Sequence, residues 1–138
     1  MQNTITNLKQ YITAGKAIFT VNNVETGNRF TYKVTKKEND DKSCVYFVST
    51  LTGPCNESNY SYIGLLTQNG VFRHTTNSAV AVTALSFIAF KWLAANVSKV
   101  IPTKVEIRHE GRCGRCGRKL TTPKSIDAGF GPECVQHV

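Results

Sequence analysis

The sequence has no apolar run long enough to cross a bilayer. Its most apolar stretch, AVAVTALSFIAF from Ala79 to Phe90, is followed by Lys91 and falls short of the roughly 20 residues that a membrane span needs, so it reads as a buried helix. A secretory signal is missing as well. The first residues, MQNTITNLKQYITAGK, are polar and mixed, without a basic start, an apolar centre and a small-residue cleavage site, so a cytoplasmic protein without a membrane partner is expected. There is no internal repeat, low-complexity tract or convincing linker, which argues against a solenoid or a string of domains. Acidic side chains are scarce: nine Asp and Glu face seventeen Lys and Arg, for a formal net charge of +8. That imbalance suits a polyanionic partner such as nucleic acid. It is spread out, however, with ten basic and five acidic residues in 1–103 and seven and four in 104–138, and a solvated surface explains it equally well.

Enzyme constellations are also lacking. A zinc deaminase wants His-x-Glu ahead of a Pro-Cys-x-x-Cys pair, whereas here His109 and Glu110 are adjacent and no proline precedes Cys113. Ser125 has no general base that the sequence places beside it, and His74 is a lone histidine in a strand. A non-enzymatic protein is expected.

What is present is one domain's worth of core, at 138 residues and 41% hydrophobic. Ile5, Leu8 and Ile12 share one face of a short N-terminal helix ended by Gly15. From Ala17 the period becomes two: Ala17, Phe19 and Val21 alternate with polar or solvent-facing neighbours, Asn22 to Asn28 supplies a turn, and Phe30, Tyr32 and Val34 return as the second strand of a hairpin. A charged loop leads to a third strand, Cys44 to Thr50. The turn formers Gly53 to Asn59 precede a fourth, Tyr60 to Leu66, and Gln68-Asn69-Gly70 a fifth, Val71 to Thr75. Asn77 or Ser78 can cap a helix over Ala79 to Asn96, with Ala81, Leu85, Ile88 and Trp92 on one face and Val80, Ala84, Phe87 and Lys91 beside them. After Pro102 a last strand, Lys104 to Arg108, delivers His109. The fold class is α+β: an antiparallel β-meander covered by one long helix (residues 1–103), with a C-terminal treble-clef-like zinc module (104–138) packed on it as part of a single compact unit.

Five cysteines without a secretory signal point to thiols and metal rather than disulfides. Cys44 and Cys55 read as small, buried or half-buried thiols that behave as hydrophobes. Cys113 and Cys116 form a C-x-x-C pair with glycine inside it and after it, and Cys134 lies at what looks like a helix start, Gly131-Pro132. Three thiolates leave a tetrahedral zinc ion one ligand short, and the spacing allows either His109, four residues before the pair, or His137, three residues after Cys134. A thiolate-rich set with no carboxylate base suits one closed, structural Zn²⁺. Between the cysteines, Thr122 caps and Pro123 opens a short helix ended by Gly129.

The stretch RCGRCGRKLTTPKSIDAGFGPEC resembles a small family of uncharacterised zinc-finger-like domains common in bacteriophages and other mobile elements, with the pattern C-x-x-C-G-R-x-L-T, P-x-S-I, G-x-G-P-x-C. The upstream blocks AGKAIFTV, TGNRFTYKV and YFVSTLTGPCNESNYSYIG look like parts of the same phage-encoded family. The resemblance implies a bacterial host cell and favours His109 as fourth ligand, through a His-x-Gly-x-Cys arrangement.

Two functions fit. Arg112, Arg115 and Arg118, with Lys119 and Lys124, can offer a zinc-stapled basic surface to nucleic-acid phosphates. Upstream, Arg29, Lys33, Lys36 and Lys37 alternate with Phe30 and Tyr32, with Tyr60 and Tyr62 on a neighbouring strand; these aromatics are either core or, on an exposed sheet face, a stacking platform for bases. The other function is an anti-defence type of regulator that binds and inhibits a host protein. Neither the oligomeric state nor the host process is legible.

Overall fold

The computed structural model describes residues 5, 7–52, 59–99 and 101–137. The period-two runs become strands wherever turn chemistry separates them. β1 (Lys16–Asn23) and β2 (Arg29–Glu38) are joined by a turn in which the Asn23 side-chain oxygen accepts from the Glu25 and Thr26 N–H groups at 3.0 and 3.2 Å. β3 (Cys44–Leu51) and β4 (Tyr60–Thr67) follow, and Gln68-Asn69-Gly70 turns the chain into a short β5 (Phe72–Arg73), with Thr67 N–H bonded to the Val71 carbonyl at 2.9 Å. The final strand, β6 (Val105–His109), pairs with β1, so one six-stranded antiparallel sheet runs β5-β4-β3-β2-β1-β6. The fold is therefore α+β with a C-terminal cysteine cluster. The turn formers Gly53 to Ser58, Cys55 among them, lie outside the described residues, as do Thr4 and Thr6 of the N-terminal segment.

Cross-strand partners share a face. On the inner face Ala17, Phe19, Val21, Tyr32, Val34, Val48, Leu66, Phe72, Ile107 and His109 are all buried, and a β-bulge between the Gly64–Val48 and Tyr62–Ser49 pairs turns Ile63 into the same layer. Two helices cover it. α1 (Leu8–Ile12) is capped by Asn7, whose side chain accepts from the Gln10 N–H at 3.1 Å, and buries Leu8, Tyr11 and Ile12. α2 (Leu85–Asn96) buries Phe87, Phe90 and Leu93, with the Phe90 ring centroid 5.1 Å from Tyr32 and 4.7 Å from Phe72.

The covering helix differs from its sequence reading in two ways. It has 12 residues rather than spanning Ala79 to Asn96, because neither Asn77 nor Ser78 caps it: the Ser78 hydroxyl accepts from the Thr75 N–H instead, and the cap position is Ala84. It also buries only part of the apolar surface that the sequence groups together. Leu85, Ile88 and Trp92 of the first apolar face are 60, 48 and 38% exposed, and Phe87 from beside them is buried. A helix apolar on every side leaves the choice of face to the sheet, and here Phe72, Tyr32 and Phe19 select the Phe87–Phe90 side.

Candidate metal centre

β6 carries the chain to the knuckle. After His109, an Arg112–Lys119 bridge and the Leu120 N–H to Gly111 carbonyl bond (2.8 Å) close a narrow loop around Cys113 and Cys116. Within it Cys113 N–H donates to the Arg118 carbonyl and Gly117 N–H to the Cys113 carbonyl, at 2.8 and 2.9 Å; Gly117 has φ +78°, a left-handed turn that glycine adopts without penalty. α3 (Pro123–Ala128) forms as its residues demand: the Thr122 hydroxyl accepts from the Ser125 N–H, Pro123 opens the helix, and Gly129 ends it in the left-handed region. Gly129 then accepts from the Gly114 N–H at 3.0 Å, and the chain returns to present Cys134 on a single turn of 3-10 helix, Cys134–His137.

The sulfurs of Cys113, Cys116 and Cys134 lie within 4.8 Å of one another. That spread is a little wider than the roughly 3.8 Å edge of a tetrahedron built on a Zn–S bond of about 2.3 Å. Cys113 and Cys134 are buried and Cys116 is exposed. Burial pushes the Cys113 thiol up, but the backbone N–H groups of Gly131, Cys116 and Arg115 and the Cys134 side chain outweigh it and hold the group below its ordinary value. Cys134 is pushed up, first by burial and then by Cys116 and Cys113 beside it, against the opposing Arg115 guanidinium at 3.6 Å. The trio is thus a possible metal-binding group with one thiol already disposed to ionise. Cys44, half-buried, takes no part in it.

Neither histidine joins the group. His109 is 2% exposed, and its ring is held from both ends: Nδ1 accepts from the Gly111 N–H at 3.0 Å and Nε2 lies 2.6 Å from the Ile126 carbonyl, an arrangement that needs the hydrogen on Nε2. Both nitrogens thus meet backbone partners that tie α3 to the end of β6, and His109 lies outside the cluster of three sulfurs that it was expected to complete. His137 is exposed at the end of the 3-10 turn.

The basic residues divide. Arg112 folds inward, its guanidinium donating to the Gly117 carbonyl at 3.2 Å, and Arg115 reaches Cys134, so both help to build the knuckle. Arg118, Lys119 and Lys124 are exposed. His74 bridges to the Val80 carbonyl at 2.7 Å and sits edge-on to Phe87, a structural role.

The residue that sequence reading missed is Tyr11. Its ring lies 5.9 Å from His109 and 5.7 Å from Phe130, and its hydroxyl is within 3.2 Å of the Ile18 carbonyl and 3.1 Å of the Arg112 carbonyl. Gly114 fits against it: a Cβ there would come within 2.5 Å of the ring. The sole available signal was its place three residues after Leu8, on the edge of the apolar face.

Among the described residues no helix is long and apolar enough to cross a membrane. Residues 104–138 match a family of unknown function, DUF6011. No curated protein and no solved structure matches the chain.

Proposed function

We propose that this is a non-enzymatic accessory protein of a phage or other mobile element, acting in the bacterial cytoplasm, whose C-terminal knuckle is locked by one structural Zn²⁺ and which binds nucleic acid. The observation that carries the metal assignment is the thiol trio: three soft sulfur ligands within 4.8 Å of one another, with backbone N–H groups already turned to one of them, suit zinc better than a hard cation. The Arg112–Lys119 bridge beside a C-x-x-C knuckle supports the treble-clef-like reading. For the fourth ligand the geometry favours His137. Residues three apart eclipse in a 3-10 helix, which puts position 137 on the Cys134 side of the turn, whereas the His109 nitrogens meet backbone partners. Bound zinc would supply folding free energy to a segment with little core of its own. Arg118, Lys119 and Lys124, exposed on that rigid loop, offer charge to phosphates.

Elemental analysis of the purified protein tests the metal: one zinc per chain is expected, kept in His109→Gln and lost or readily chelated in His137→Ala. Stoichiometric zinc in the Cys113→Ser/Cys116→Ser double variant would overturn the site. For binding, the affinity of labelled oligonucleotides should fall steeply with salt and fall again in Arg118→Gln/Lys119→Gln/Lys124→Gln. A second reading, regulation of a host protein, is favoured by one observation, the exposed Leu85, Ile88 and Trp92 stripe of α2.

A further inference from the structure

The sheet has a second face, turned away from the buried layer of α1 and α2, where Thr75 beyond β5 reaches the Tyr62 hydroxyl at 3.1 Å. Register assigns to it Thr31, Lys33, Thr35 and Lys37 of β2, Val45, Phe47, Ser49 and Leu51 of β3, Tyr60, Tyr62 and Leu65 of β4 and Arg73 of β5. None of its apolar side chains packs on the hydrophobic core, and Phe47 at its centre is 36% exposed. Phe47 and Tyr62 meet edge to face at 6.0 Å, and two lysines lie over rings of this surface, Lys33 over Tyr60 at 5.6 Å and Lys37 over Phe47 at 5.9 Å. The aromatic centre is thus bordered by ammonium groups, with Arg29 and Arg73 further out on the same face. Among the described residues no carboxylate shares the β2–β5 part of it. The acidic residues of this face, Glu106 and Glu110, stand on and just beyond β6, one paired with Arg108 at 3.2 Å and the other hydrogen-bonded to Thr20.

We propose that this open face of β2–β5 binds single-stranded nucleic acid, with unpaired bases stacking on Phe47 and Tyr62 and phosphates meeting Lys33, Lys37 and Arg73. The proposal deepens the nucleic-acid reading above, on which it rests, and moves the recognition surface from the knuckle to the sheet. Charge selects the occupant. A second copy of the chain would set the same cations against one another, while a polyanion neutralises them. Chemistry selects the strand state: aromatic rings on two adjacent strands take bases that are free to leave a stack, and a duplex does not offer them. Every base has a π-face, so little sequence preference is expected. The track continues toward the knuckle through Lys16, whose stem a Cβ at Gly117 would touch at 3.4 Å.

The test uses the full, zinc-replete chain and fluorescence anisotropy with a labelled 12-nucleotide single strand of mixed sequence and its duplex. Expected are tighter binding of the single strand and a loss of about ten-fold or more in Phe47→Leu/Tyr62→Leu, with a steeper loss at higher salt in the wild type than in Lys33→Gln/Lys37→Gln. Should the aromatic double variant not fold, photocross-linking of the wild type to a bromouracil-substituted strand answers the same question, since the adducts should map to residues 44–51 and 60–67. Adducts confined to 112–124, or weakening only by the Arg118, Lys119 and Lys124 substitutions, would refute the sheet surface and leave the knuckle reading standing. Sheet-face losses with no effect of the knuckle substitutions would do the reverse. Preference for the duplex, no oligonucleotide binding at 50 mM salt, or binding only to anionic vesicles each overturns the proposal.

Discussion

Tyr11 joins three pieces of the molecule that are distant in sequence. Its ring fills the space between Phe19, His109 and Phe130, and its hydroxyl is shared between carbonyls of β1 and of the knuckle. Tyr11→Phe keeps the ring and removes the donor, so a loss of about 1 kcal/mol is expected in chemical denaturation. Gly114→Ala should cost more, about 1–3 kcal/mol, because the new methyl meets Tyr11 and Phe130 at 2.5 and 3.1 Å and neither ring has room to withdraw. Tyr11→Leu in the same chain should relieve part of that cost, which a double-mutant cycle would measure. His109 shows why such residues resist reading from sequence. A histidine four positions before a C-x-x-C pair fits a metal ligand and a backbone brace equally well, and the carbonyl that its Nε2 meets, Ile126, comes seventeen residues later. The cysteine trio was legible because three thiols with glycines between them have few other uses.

At the scale of elements, local chemistry was readable and choice of face was not. Thr122, Pro123 and Gly129 specify α3 by caps that operate within one turn, and the structure has that helix at the bounds they set. Asn69-Gly70 likewise made its hairpin. α2 is apolar on most sides, so periodicity offered no direction, and the sheet imposed one. The consequence is measurable. Phe90→Ala should lower stability by about 3–5 kcal/mol, as for a ring wholly inside the core, whereas Leu85→Gln and Ile88→Gln should each shift it by no more than about 0.5 kcal/mol. If the second reading of function holds, those same two substitutions abolish partner binding without unfolding the chain.

For the whole molecule, the buried phenols set an alkaline limit. Burial pushes Tyr11 and Tyr32 well above the ordinary tyrosine value, and Tyr46 shifts the same way. Unfolded phenols ionise near pH 10. A group whose pKa is raised on folding lends stability that is complete below the unfolded value and is lost as pH rises past it, at about 1.4 kcal/mol per pH unit for each phenol kept neutral. Tyrosinate absorbance from Tyr11 and Tyr32 is therefore expected to appear together with loss of far-UV circular dichroism above about pH 10, not before it. A titration in which all five tyrosines ionise while the fold persists would contradict their burial.

The strand order has a further consequence, in time rather than in space. β1 leaves the ribosome well before one of its two neighbours, β6, which lies roughly eighty residues downstream. Until β6 emerges, the row from Lys16 to Asn23 is a bare edge, and pairing it closes the longest loop in the sheet, a slow event on topological grounds. The segment that closes it also carries the thiol trio. Refolding monitored by stopped flow should accordingly show a late phase that free zinc accelerates, making metal supply a clock for completion of the sheet.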